Sequence, residues 1–107
     1  MAHNFEAQRA ETFATFAAFG DDAGLPTTAV VDFQFYAEDI DPDWDTVEKA
    51  LGAAGFTTTR DEDDGALDAS IGPITISPEN IWRHERIATE IALQSDFQPD
   101  GWGLVDA

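Results

Sequence analysis

Between Ala29 and Ala37 hydrophobic and polar positions alternate cleanly: Val31, Phe33, Phe35 and Ala37 fall on one side of an extended backbone, and Val30, Asp32, Gln34 and Tyr36 on the other. One side requires an apolar layer against it and the other tolerates water. This predicts a strand in the middle of a mostly antiparallel sheet whose helices cover only the apolar side. Three further segments read as strands. Phe56 to Arg60 carries three threonines, Ala66 to Ile76 alternates at Leu67, Ala69 and Ile71, and Phe97 to Val105 is entered through Gln98-Pro99-Asp100-Gly101. Gly72-Pro73 predicts a stop or bulge within the second of these. Asp61-Glu62-Asp63-Asp64-Gly65 is a turn by composition.

Helical spacing governs the rest. Over Phe5 to Phe19, Phe5, Thr12, Phe16 and Phe19 make a stripe with Phe13 at its edge, which predicts an amphipathic helix docked on the domain and ended by Gly20. Asp21 to Thr28, with Gly24 and Pro26, is then a linker. A second helix starts with Asp41 as N-cap and Pro42 in its first position, while Asp43 and Asp45 suit the positive end of the helix dipole. Its buried stripe is Trp44, Val47, Leu51 and Ala54, and Gly55 serves as the left-handed C-terminal cap with Phe56 packing back on the last turn. Ser77-Pro78 repeats the cap-then-proline device and opens a third helix to about Ser95, with Ile81, Ile87, Ala88, Ile91 and Ala92 on its apolar arc. His84 falls within that arc, the setting of a half-buried, hydrogen-bonded histidine, and Glu85 faces its other edge.

From Ala29 the order is strand, helix, strand, strand, helix, strand. That order predicts an α+β fold, a ferredoxin-like βαββαβ sandwich over about 29–106 preceded by an extra N-terminal helix at about 5–19, in one domain spanning 1–107. The topology carries a consequence that no local motif shows. The loop after the first strand, the hairpin of the acidic tetrad and the loop before the last strand share one edge, so Glu38, Asp39, Asp41, Asp43, Asp61, Glu62, Asp63, Asp64, Asp96 and Asp100 are expected to gather into one acidic rim.

Charge sharpens that picture. The 107 residues hold 22 Asp and Glu against five Lys and Arg, a formal net charge of −17. Binding to nucleic acid runs on phosphate neutralisation by Lys and Arg, so direct RNA or DNA contact is not expected, nor is attachment to anionic lipid. A basic protein segment is the natural counterpart. The same Asp-rich, Lys-poor composition also keeps a protein soluble in concentrated salt. There is no cysteine, which excludes disulfides and thiolate metal sites. No apolar run approaches the roughly 20 residues of a membrane span, and the start lacks a basic region followed by an apolar one, so a cytoplasmic protein is expected.

Catalytic and metal chemistry is not marked. Asp39, Asp41, Asp43 and Asp45 alternate as in a calcium loop, but Trp44 stands where an EF-hand needs glycine, and the twelfth residue is Ala50 instead of glutamate. The glycines match no phosphate-binding spacing, no nucleophile pattern accompanies His84, and no carboxylate pair is singled out. Neither catalytic residue, metal nor cofactor is assigned. Trp102, flanked by glycines and sharing a face with Leu104, reads as a core plug beneath the helices in preference to an exposed anchor. Trp82 projects nearly opposite Ile81, Ala88 and Ile91, against the N-terminal helix or a partner.

The terminal Asp100-Gly101-Trp102-Gly103, together with the leading helix followed by Gly20-Asp21-Asp22, the Val-x-Phe-x-Phe strand, and Leu51 to Phe56 ending in Gly-Phe, resembles the RraB family of regulators of ribonuclease E activity. Family members commonly carry an aromatic where this chain has Pro99. The resemblance implies a ferredoxin-like α/β sandwich and a noncatalytic acidic protein that binds and inhibits an RNase E-like ribonuclease or its degradosome assembly, regulating RNA turnover. Partner contacts are then expected at the rim, Glu38, Asp39, Asp41, Asp43, Asp61, Glu62, Asp63, Asp64 and Asp100, and at Trp82 and Trp102. Two alternatives stand beside it: a small enzyme or ligand-binding domain using the open sheet face around Asp32, Gln34 and Tyr36, or an interaction module unrelated to RNA turnover. A deep pocket holding a desolvated carboxylate or His84 would favour the first alternative.

Overall fold

The computed structural model describes residues 3–19, 27–38 and 40–105. The predicted cap at Gly20, residues 21–26 of the predicted linker and Asp39 lie outside them. The alternation around Phe33 becomes strand β1 (Thr28–Ala37), which pairs on one side with β3 (Ala66–Thr75) and on the other with β4 (Phe97–Val105); β3 in turn pairs with β2 (Thr57–Asp61). The sheet is four-stranded and fully antiparallel in the order β2-β3-β1-β4. Three helices complete an α+β fold: α1 (Phe5–Phe19), α2 (Trp44–Ala53) and α3 (Pro78–Leu93).

Burial follows the alternation. Val31, Phe33 and Phe35 of β1 and Leu67 and Ala69 of β3 are buried under the helices, whereas Gln34 and Tyr36 on the other side are exposed. Leu51, Val47 and Trp44 from α2, Ile81, Ala88 and Ala92 from α3, and Phe56 and Phe97 fill the layer between. Edge-to-face contacts of Phe33 with Phe56 (6.2 Å) and of Trp44 with Phe97 (5.2 Å) tie β1 and β4 to the second layer.

Two strand irregularities have local causes. Ala29 pairs with Ile74 and Val31 with Ile71, so Gly72 and Pro73 together oppose Val30, the predicted bulge. A Cβ on Gly72, whose φ is +130°, would sit 2.9 Å from both the Ala29 carbonyl oxygen and the Ile74 nitrogen. In β4, Gln34 pairs with Gly101 and Phe35 with Pro99, leaving Asp100 as the extra residue.

The helix ends refine the sequence reading. Ser77 caps α3 as predicted, accepting from the Asn80 N–H at 3.1 Å. The cap of α2 is Asp43 instead of Asp41: Thr46 donates its backbone N–H to Asp43 Oδ1 (3.1 Å) and its hydroxyl to Oδ2 (2.6 Å), and Pro42 stands before the cap. Both aspartates are chemically suited to the role. What distinguishes them is the residue three places on: Thr46 after Asp43 donates both its N–H and its hydroxyl to the cap, whereas Trp44 after Asp41 has no hydroxyl to give and seats its ring on Phe97. At the other end Gly55 (φ +99°) and Phe56 return their N–H groups to Gly52 and Leu51, a paired closure that leaves Ala54 exposed as the cap and outside the predicted stripe. Ile87 of α3 is likewise exposed; the buried positions run through Ile81, Glu85, Ala88, Thr89 and Ala92, one step around the helix from it.

Candidate functional site

Three chain segments meet at the end of the sheet where β1 finishes. Ala37 donates its N–H to the Gly65 carbonyl (2.8 Å), and Glu38 donates to the Asp96 carbonyl (3.0 Å). These bonds join the exit of β1, the β2–β3 hairpin and the entry to β4. The start of α2 belongs to the same end, because Trp44 packs on Phe97 and Asp45 reaches Arg60 of β2 at 3.1 Å. Glu38, Asp41, Asp43, Asp61, Glu62, Asp63, Asp64 and Asp96 are all exposed on or beside these segments. Arg60 of β2 lies beside them. It pairs with Asp45, Glu48 and Glu62, and its guanidinium lies 5.4 Å from the centroid of the Trp44 ring. The Glu48 bond above all holds the Arg60 proton more tightly than usual. The Thr46 side-chain and backbone bonds hold Asp43 below the ordinary aspartate range.

The remaining expected partner residues fall elsewhere. Asp39 lies outside the described residues. Asp100 is in the β4 bulge beside Gln34 and Phe35, inside the strand, because β4 begins at Phe97 and the predicted entry loop is already paired. Trp82 stands in the first half of α3, which starts beyond the Thr28–Thr75 pair at the opposite end of the sheet. It is half-buried and meets Phe5 of α1 edge-on at 6.5 Å. Trp102 pairs with Phe33, so it points to the helix side, and it packs half-buried against the core together with Leu104.

A polar seam between α1 and α3 goes beyond the sequence reading, which places Thr12 on the docked stripe and Glu85 at the edge of the α3 arc without bringing the two together. On α1, Gln8 and Thr12 are buried, while Phe5, Phe13 and Phe16 are only half-buried; the Phe19 side chain lies outside the described residues. Across from them Glu85 is 4 % exposed and Thr89 fully buried. The Thr12 hydroxyl donates to Glu85 Oε1, and the Gln8 amide donates to Glu85 Oε2 (3.1 Å) and to the Thr89 hydroxyl (3.0 Å). His3 Nε2 lies 2.6 Å from Gln8 Oε1. Apolar periodicity is blind to such a seam. The signal that could have found it is the pair of polar i, i+4 steps, Gln8 to Thr12 and Glu85 to Thr89, inside otherwise apolar arcs.

Glu85 forms part of the wall of a cleft of about 540 Å³, bounded by His3, Gln8, Glu11 and Thr12 on one side and by Pro99, Asp100 and Trp102 of β4 on the other. Burial pushes the Glu85 carboxyl above its ordinary value; the Thr12 and Gln8 bonds pull it partly back, Glu11 adds to the rise and His3 opposes it. A carboxyl raised in this way contributes stability that is complete below its unfolded value of 4.5 and is lost as pH rises through the higher folded value. Glu85→Gln therefore gains on the parent as pH rises through that window. Urea unfolding of both proteins across the acid range checks this, and parallel pH curves would contradict it.

The sheet face away from the helices carries Asp32, Gln34, Tyr36 and Asp68. Ser70 donates to Asp32 at 2.9 Å, and burial, with the Asp32 charge, holds Asp68 above the ordinary aspartate range. His84 is half-buried with Nδ1 2.8 Å from the Asn80 carbonyl oxygen. Among the described residues no group of three or more His, Asp or Glu is disposed to hold a metal ion, and no helix is long and apolar enough to cross a membrane. No protein-family model matches the chain, and no curated protein matches it.

Proposed function

We propose that this domain is a noncatalytic regulator that acts by protein contact, offering its acidic end to a basic polypeptide segment. The observation that carries the reading is the joining of three acidic segments at one end of the sheet by the Ala37–Gly65 and Glu38–Asp96 bonds. Eight exposed carboxylates on or beside these segments raise the local attraction for a cation and repel a phosphate backbone. Charge of this kind speeds encounter more than it prolongs residence. The strand order β2-β3-β1-β4 supports a ferredoxin-like sandwich. Together with the Asp100-Gly101-Trp102-Gly103 resemblance it favours an RraB-like inhibitor acting in the cytoplasm, whose target is the basic, RNA-binding part of an RNase E-like ribonuclease or its assembly.

The test is a pair of titrations of the purified chain, against an arginine-rich peptide and against single-stranded RNA, at rising salt, followed by RNA cleavage by RNase E in its presence. Salt-sensitive peptide binding, no RNA binding and slower cleavage are expected. Tight RNA binding would end the reading.

A ligand-binding domain is the second reading, favoured by one observation: the cleft beside Glu85 holds a desolvated carboxylate. That cleft is on the helix side of the sheet, away from the face of Asp32, Gln34 and Tyr36.

A further inference from the structure

We infer that the cleft between α1 and β4 is a seat for one guanidinium group, an arginine side chain of the bound polypeptide. The inference rests on the basic-partner reading and assigns it a specific pocket. Size comes first: about 540 Å³ is within the range of small-ligand sites and ample for an arginine side chain. The charge of the lining comes next. Glu11, Glu85 and Asp100 face the cleft with His3, and among the described residues neither lysine nor arginine lines it.

The acceptor capacity of Glu85 makes the pocket selective. A carboxylate offers about four lone-pair positions, and the Thr12 hydroxyl and the Gln8 amide each fill one, at separate oxygens. The remaining positions belong to a buried group held in a fixed orientation by two helices. A planar fork of N–H donors matches that geometry better than a point charge does. Trp102 supplies an aromatic wall in the same cleft, a surface on which a guanidinium stacks.

Position agrees with this role. Gln98, at one end of the cleft, directly follows Phe97, whose partner Ala37 ends β1 at the acidic end of the sheet. A polypeptide drawn to Glu38 and Asp96 thus has the cleft within a residue or two of its path along β4. Asp100, displaced into the bulge, marks that path.

The experiment titrates the isotope-labelled full chain with blocked arginine (N-acetyl-arginine amide), blocked lysine and blocked citrulline, reading the Trp102 indole N–H and the Gln8 and Thr12 amides by NMR. Saturable shifts are expected at those three positions with arginine, weaker ones with lysine and none with citrulline, which keeps the shape and loses the charge. Glu85→Gln is expected to weaken arginine binding roughly 10- to 100-fold, the loss of one charge-assisted contact. Should that variant fail to fold, the citrulline comparison and the exposed Asp100→Asn variant, expected to weaken binding several-fold, decide the matter. Equal binding of citrulline, or shifts that bypass Trp102, would overturn the assignment. Those outcomes leave the acidic end untouched. Conversely, D61N/E62Q/D63N/D64N is expected to keep its arginine site, and a variant that loses it would place the binding at the acidic end and overturn the cleft.

Discussion

Phe33→Ala is expected to lower the unfolding free energy by about 3–5 kcal/mol, the range for truncating a fully buried aromatic. Phe33 is fully buried at the centre of β1, between Ala69 on β3 and Trp102 on β4, with Phe56 edge-on above it. Its removal leaves a cavity with sheet on one side and packed helix on the other, so little can collapse to fill it. A domain of this size holds about 5–15 kcal/mol in total. The midpoint of thermal unfolding should fall by roughly 15 °C or more. Tyr36→Ala, three residues along the same strand but on the uncovered face, is expected to change stability by about 0.5 kcal/mol or less. Equal losses at the two positions would mean that the faces of β1 had been assigned wrongly.

The second large effect is kinetic. In D61N/E62Q/D63N/D64N the hairpin keeps its shape, because an asparagine at position 61 still accepts the Asp64 N–H bond seen at 3.3 Å. Four of the eight exposed carboxylates at the acidic end lose their charge. Association with an arginine-rich peptide at low salt should slow about 10- to 100-fold, the difference between steered and unsteered encounter. At about 1 M salt, where screening acts within roughly 3 Å, the two proteins should associate at the same rate. Relief of like-charge crowding predicts that the variant melts higher than the parent, so weaker binding and greater stability arrive together. A variant that bound normally would detach the acidic end from the function proposed for it. Stopped-flow association at several salt concentrations and a thermal melt supply both readings.

Much of the architecture was legible because it rests on strong local signals. Alternation located the buried face of β1, Ser77-Pro78 located the start of α3, and Gly72-Pro73 located the bulge. The meeting of the acidic segments was legible only through topology, since Glu38, Asp61 to Asp64 and Asp96 are far apart in sequence and become neighbours when β1, β3 and β4 pair. Two local details differ from the sequence reading. At the start of α2 the cap is Asp43, where Thr46 supplies two donors to the carboxylate, instead of Asp41. Asp100 left the rim because the segment read as a loop pairs with β1. Thr12 stood on the docked stripe, but its meeting with Gln8, Glu85 and Thr89 escaped because apolar periodicity does not say which polar residues face one another across two helices; mutual hydrogen bonding makes their burial tolerable. The cleft beside that seam escaped with it.

The central claim is that the acidic end of the sheet is the face on which a basic polypeptide lands. Its most direct test is the map of backbone amide shifts when the labelled chain is titrated with an arginine-rich peptide at low salt. The account predicts that the largest shifts fall on Glu38, Asp61 to Asp64 and Asp96, and that they fade as salt rises. Shifts confined to Asp32, Gln34 and Tyr36 on the sheet face away from the helices, or insensitive to salt, would contradict it.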